Sequence, residues 1–227
     1  VLYTVTHINV REGKSGTRIY VQGVADNTPR LLFEGGNSPS WNANGTKVAF
    51  LKSVQGVPQL FEISLESGAE ARQLTSFKNG IESYWISPND AQLLYAQKVQ
   101  VEKTTKDLYP DYPDANVRII DSLMYRHWDY WTDGQYSHLF LTDFSHEKVE
   151  EGRDLMPNEP YDAPMAPYFG SEDAIWSPNS DVIYYTCKKQ TGVAYATGTN
   201  SDIYRYSLAD GTTTNLTASN LGYDRLP

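Results

Sequence analysis

Apolar and polar positions alternate at a period of two along much of this chain, in short runs broken by polar turns. The same arrangement returns three times. Trp41 opens one copy, with the turn Asn42-Ala43-Asn44-Gly45-Thr46 leading to Val48 and Phe50. Ile86 opens another, with Ser87-Pro88-Asn89-Asp90 leading to Leu93 and Tyr95. Trp176 opens the third, with Ser177-Pro178-Asn179-Ser180 leading to Ile183 and Tyr185. A period of two predicts strands. Pro fixes an early turn position, and Asn, Asp and Gly accept the left-handed backbone that tight turns need. Further strands are predicted at 59–63 and 202–206, with Gly68 and Gly211 turning the chain into closing strands at 72–75 and 214–217. Segments 137–143 and 153–156 fill the same roles between them. Segments 1–8, 17–24 and 29–33 supply strands two to four of an earlier unit.

Four short antiparallel strands per unit, recurring at this interval, predict an all-β fold, a β-propeller of WD40-like or TolB-like blades. Trp41 and Ile86 lie 45 positions apart, and Ile86 and Trp176 lie 90 apart. The longer gap fits two blades or one blade with an insertion; 97–136 holds no second polar turn after a large apolar residue, which favours one blade carrying an insertion between its second and third strands. About four four-stranded blades of a larger propeller are expected: 1–35, 36–78, 79–157 with the insertion 98–136, and 158–219, with 220–227 approaching a further blade. The chain is accordingly expected to begin after one blade's first strand and to stop short of another.

Composition narrows the function. A formal net charge of −9 argues against binding a phosphate backbone, which needs clustered Lys and Arg. No apolar run is long enough to span a membrane. Seventeen Tyr and five Trp suit pleated, half-buried surfaces. The single cysteine, Cys187, can form no internal disulfide and is expected as a small buried residue.

The Trp-Ser-Pro-Asn turn at 176–179 and the closing Gln73-Leu74-Thr75 and Asn215-Leu216-Thr217 resemble TolB-type propellers and the N-terminal propeller of the prolyl oligopeptidase family of serine peptidases. The insertion separates these two. Its Arg126-His127-Trp128-Asp129 run, continuing through Tyr130 and Trp131, resembles a segment of the acylaminoacyl-peptidase and dipeptidyl-peptidase-five branch. The resemblance implies a two-domain exopeptidase in which a propeller covers an α/β-hydrolase domain bearing Ser, Asp and His. It also implies a periplasmic or secreted location, on which the residues themselves are silent.

The chain's own residues offer no catalytic set. A nucleophile elbow needs Gly-x-Ser-x-Gly, and the nearest approach, Gly36-Asn37-Ser38-Pro39-Ser40, has Pro39 and lacks the second Gly. His127, His138 and His146 have no compact metal-ligand spacing, and no cofactor is expected. The candidate contact residues are Arg126, His127, Trp128, Asp129 and Trp131. An Arg suits a carboxylate and aromatics suit apolar side chains. The competing interpretation is a structural insertion packed on its own blade, with Arg126 and Asp129 paired. If the run is one strand, Arg126, Trp128 and Tyr130 share one face and His127, Asp129 and Trp131 the other. Glu150-Glu151 is read as a solvated hairpin rather than an ammonium site. Asn44-Gly45-Thr46 and Asn215-Leu216-Thr217 match glycosylation sequons by letter but are read as structure. Segment 105–116 is expected to be a turn-rich acidic loop, and 190–201 a flexible hairpin tip.

These features point to a non-catalytic propeller domain of a serine exopeptidase, gating and restricting peptide access to an α/β-hydrolase domain absent from this chain. The alternative is a TolB-like propeller acting as an interaction platform without a peptidase domain. Expected partners are that hydrolase domain and a peptide substrate, with no nucleic acid and no membrane span. Blades bury their apolar sides on one another. The isolated chain is therefore predicted to close a small ring, pair with a second copy, or be marginally stable. Light scattering combined with thermal melting checks this, and a monomer with a high Tm and no ring closure would contradict it.

Overall fold

The computed structural model describes residues 1–25, 27–166 and 170–227. Its strands form antiparallel sheets, as the alternation predicts. The first sheet has three strands in the order β1 (Leu2–Asn9), β2 (Lys14–Val21), β3 (Arg30–Glu34). The second runs β4 (Asn37–Trp41), β5 (Lys47–Val54), β6 (Val57–Ser64), β7 (Arg72–Gln73). After β8 (Ser83–Ile86) and β9 (Gln92–Gln100) the chain leaves its sheet. It forms a one-turn helix α1 (Thr105–Leu108) and a ribbon of β10 (Arg126–His127) and β11 (Tyr130–Trp131). It returns as β12 (Gln135–Asp143) and β13 (Arg153–Asp154), completing a third sheet in the order β13-β12-β9-β8. The last sheet comprises β14 (Ala174–Trp176), β15 (Val182–Cys187), β16 (Asp202–Ser207) and β17 (Thr213–Asn215), with the short helix α2 (Gly192–Thr197) between β15 and β16.

Two expected loops contain helices. In 105–116, a capping box starts α1: Thr104 Oγ1 accepts from the Asp107 backbone N–H, and Asp107 Oδ2 accepts from the Thr104 N–H at 2.8 Å. In 190–201, Lys188 Nζ donates to the Tyr195 and Gly198 carbonyls at 2.7 and 2.5 Å, which secures the end of α2. Gly and Thr in that stretch masked a Val-Ala-Tyr-Ala run able to form a turn of helix.

The chain divides into two compact units. One is Val1–Ile81 with Pro88–Leu93 and Thr142–Gly152. Its core joins Ile19, Val48, Phe50, Phe61 and Ile63. Phe50 lies 4.5 Å from Phe33 and 5.9 Å from Phe61, ring centre to ring centre. Burying each such ring contributes roughly 1.5–3 kcal/mol. Gly36 is small for the same reason, since a Cβ there would stand 2.6 Å from Phe50 Cδ2. Buried Glu62 forms an ion pair with Lys47 Nζ at 2.8 Å and lies 2.6 Å from His146 Nδ1.

The other unit is Glu82–Ser87 with Leu94–Leu141 and Arg153–Pro227. Leu94, Leu139, Met156, Trp176, Ile183, Tyr185 and Cys187 lie in its core. Two indoles join its strands through the backbone: Trp176 Nε1 donates to the Trp85 carbonyl at 3.0 Å, and Trp85 Nε1 to the Ser171 carbonyl at 2.7 Å. Cys187 is fully buried, and burial pushes its thiol pKa up.

His138, on β12 and fully buried, faces acceptors on both ring nitrogens. Nδ1 lies 2.8 Å from Asp154 Oδ2 on β13, and Nε2 lies 2.8 Å from the Glu159 carbonyl. Both contacts are satisfied only by the imidazolium. Burial opposes that charge, but the bonds to Asp154 and Glu159 outweigh it and raise the pKa. The contribution to stability is then full below the unfolded value of about 6.5 and is lost as pH rises through the higher folded value. In urea melts between pH 6 and 9, the native chain should lose stability relative to His138→Gln as pH climbs. Parallel curves would show that His138 does not titrate in this way.

Candidate functional site

The second unit holds a cavity of about 700 Å³ beneath the insertion. The insertion is pinched at its base. The Val101 and Glu102 N–H groups both donate to the Gly134 carbonyl, at 3.0 and 3.1 Å. Gln100 Nε2 bonds the Glu102 and Asp133 carbonyls at 2.7 and 2.8 Å. Gly134 has φ +69°, and a Cβ there would meet Glu102 Cβ at 2.8 Å and its carbonyl oxygen at 2.9 Å. Both the left-handed backbone and the close approach require glycine.

Above this neck, Arg118 grips Asp133 with two bonds, Nε to Oδ1 at 2.6 Å and Nη2 to Oδ2 at 2.9 Å. Those bonds hold the Asp133 carboxyl below the usual carboxylate range. The pair is half-exposed, so its role is orientation more than stability. The Arg118 guanidinium lies 4.7 Å from the Trp131 ring centre, and that of Arg126 lies 5.2 Å from it. Tyr125 stacks on Trp131 at 6.0 Å.

The Arg-His-Trp-Asp run is a tight hairpin and not a single strand. Arg126 pairs with Trp131 and His127 with Tyr130. Trp128, at φ +48°, begins the reversal. The expected alternation therefore fails: Arg126 and Trp131 meet, where a single strand would put them on opposite faces. Arg126 rests on Trp131 and forms no ion pair with Asp129. His127, Tyr130 and Trp131 line the cavity, whereas Arg126 and Trp128 line a smaller hollow beside it. Trp128 is 72% exposed, and Asp129 lies in the exposed turn and lines neither space.

The cavity floor uses residues that the sequence did not single out. Tyr136 OH donates to Glu102 Oε1 at 3.0 Å, and burial with the nearby Glu102 raises the phenol's pKa. Asp162 Oδ1 accepts from the Ser137 N–H at 2.8 Å and faces Lys98 Nζ at 3.4 Å. Tyr195 reaches the cavity from α2, and burial raises its pKa to about 12. Gln190 lines the same space, and its Oε1 is buried without a hydrogen-bond partner. The one signal available for the neck was Gly134, at the junction of insertion and strand.

Elsewhere, Glu150 pairs with Lys148 at the surface. Asn44 Oδ1 and Asn215 Oδ1 accept backbone N–H groups of Thr46 and Thr217 at 3.2 and 3.0 Å, within turns. Among the described residues, no group of three His, Cys, Asp or Glu could hold a metal ion. No helix among them is long and apolar enough to cross a membrane.

No family model matches the chain. Two curated relatives do. Dipeptidyl-peptidase 5 of Porphyromonas gingivalis is 36% identical over 229 residues, and that of Porphyromonas endodontalis 34% over 230; all of this chain aligns with each. The chain spans about a third of their length (33% of each). Among solved structures, Pyrococcus horikoshii acylaminoacyl peptidase matches 95% of the chain and 30% of its own, at TM-score 0.63 and 20% identity. TolB of Acinetobacter baumannii matches 91% and 39%, at TM-score 0.51 and 16% identity. The fold is thus a β-propeller with TolB-like blades, as the repeats predict.

Gly134→Ala is expected to loosen the neck at a cost of about 1–3 kcal/mol, through strain and overpacking. Limited proteolysis should then cut within 104–131 faster than in the native chain, with the sheets intact. Unchanged cleavage would mean that the neck does not hold the insertion.

Proposed function

We propose that this chain, a β-propeller segment related to dipeptidyl-peptidase 5, is the non-catalytic part of a serine exopeptidase and restricts the peptides that reach an α/β-hydrolase domain. The supporting observation is the folded insertion, which covers a cavity and sets Arg126 and Trp128 at its outer side. The relatives, three times as long, leave ample chain for a hydrolase. Arg126 offers a guanidinium oriented by Trp131 to a peptide carbonyl or carboxylate. His127 and Trp131 offer flat, partly apolar surfaces to side chains. Asp129, in the turn, is a rim contact to substrate or to the hydrolase domain. A periplasmic or secreted location fits such an enzyme.

A TolB-like interaction platform is the second interpretation. It is favoured by the exposed apolar side chains of Val117, Ile119, Ile120, Leu123 and Trp128.

In the full-length peptidase, Arg126→Ala and Trp128→Ala should alter hydrolysis of long peptides several-fold while leaving a chromogenic dipeptide substrate nearly unchanged. The 227-residue chain alone should turn over neither dipeptidyl nor acyl-aminoacyl substrates. Turnover by the chain alone that is blocked by a serine-directed phosphonate would overturn the non-catalytic role. Equal effects on long and short substrates would overturn the gating role.

A further inference from the structure

We propose that His138 is a pH-sensitive latch on the floor of the cavity: its imidazolium holds the connection between β13 and β14, and loss of its proton releases that connection. The latch rests on this chain's geometry alone, while its consequence for peptide access rests on the restricting role above. Within the connection, Pro160, Tyr161 and Asp162 line the cavity. Two neighbouring residues of β12 tie it at four points. The Ser137 N–H donates to Asp162 Oδ1 at 2.8 Å, and the Ser137 carbonyl accepts the Ala163 N–H at 2.8 Å. The His138 ring makes the other two ties, Nδ1 to Asp154 Oδ2 and Nε2 to the Glu159 carbonyl, each at 2.8 Å. The Ser137 ties use backbone atoms of β12 and need no added proton. The His138 ties need a proton on each nitrogen, because both partners accept and a neutral imidazole has one donor. When one proton leaves, Nδ1 keeps the other, since it faces the charged acceptor. The Glu159 carbonyl then meets a lone pair in place of a donor. His138 is fully buried, so water replaces that donor only if the backbone moves. The turn before Glu159 is free to move: Pro157 and Asn158 are exposed, and its own bond is the Glu159 N–H to the Met156 carbonyl at 3.1 Å. An outward shift of 157–161 changes the position of Tyr161 on the cavity wall.

The charged groups that bear on this ring come from four elements. Asp154 lies on β13, and Arg153 beside it lies over the Tyr206 ring at 5.5 Å. Glu159 belongs to the connection, and its carboxylate pairs with Lys189 from the stretch after β15. Lys189 thus keeps the Glu159 side chain, and the release is of its backbone. On β9, Lys98 lies 3.4 Å from Asp162. Burial works against the charge on His138, but Asp154 and the Glu159 carbonyl outweigh it and raise the ring above its ordinary value of about 6.5. The latch is closed below the raised value and opens as pH climbs through it.

Two measurements on the full chain between pH 6 and 9 test this. The NMR ring signals of His138, assigned by substituting His7, His127 and His146 one at a time, give its midpoint. Hydrogen-exchange protection of 155–163, corrected for the intrinsic pH dependence of exchange, gives the state of the connection. Protection should fall at least about tenfold through the His138 midpoint, with β9 and β15 unchanged. Asp154→Asn removes the carboxylate that favours the imidazolium and should move the fall to lower pH. His138→Gln has no titrating group and should make protection independent of pH. Protection that ignores the His138 midpoint, or a ring that does not titrate in this range, would overturn the latch. In the full-length peptidase, the ratio of long-peptide to dipeptide hydrolysis should change through the same midpoint, and not in His138→Gln. A flat ratio beside falling protection would leave the latch standing and overturn its part in peptide access. Should a variant fail to fold, the coincidence of midpoint and protection in the unaltered chain still decides.

Discussion

Each repeat depends on one small polar side chain buried where a strand turns into the next. Asn42, Ser87 and Ser177 occupy that position and are 4%, 2% and 9% exposed. Asn42 Oδ1 accepts the Thr46 and Lys47 N–H groups at 3.0 and 2.9 Å, while its own N–H bonds the Lys47 carbonyl. Ser177 Oγ accepts the Asp181 and Val182 N–H groups at 3.2 and 3.0 Å, and donates to Asp181 Oδ1 at 2.6 Å. A turn buried against large apolar residues would otherwise leave backbone donors without water or partner, at about 1–3 kcal/mol each. The alternating strand after this residue, and Trp176 before it in the last sheet, can enter the core because the turn is closed internally.

The insertion obeys a different constraint. It has no apolar core of its own, and many of its large side chains are exposed. Backbone bonds at Gly134 hold it, and two guanidinium groups on Trp131 order it. Such a segment is fixed at its base and supported by polar and cation–aromatic contacts above, so it can present different residues without disturbing the sheets beneath. The cavity follows from that arrangement, for a cover held by its neck and one indole leaves space between itself and the sheet.

The strands were legible because their period is two and their turns carry Pro, Asn, Asp and Gly. The placement of the first sheet's three strands, and of the excursion between β9 and β12, follows from the same reading of the pattern. The site was legible only in part. Arg126 through Trp131 stood out by composition, but a positive φ at Trp128 folds that run back on itself, and periodicity cannot register a reversal after two residues. Glu102, Asp162, Gln190 and Tyr195 come from three separate stretches of sequence and meet only through tertiary structure. The α2 stretch was hidden by its Gly and Thr content, and its hold on Lys188 is a contact that local propensity does not carry.

What the fold offers function is therefore a rigid sheet surface and, above it, one covered space with an acidic, phenolic floor. The most direct test is hydrogen exchange of the chain with and without a saturating oligopeptide. Slowed exchange confined to 98–103, 117–136 and 190–198 is the predicted result. Slowing spread over the sheets remote from the insertion, or confined to the first unit, would contradict it.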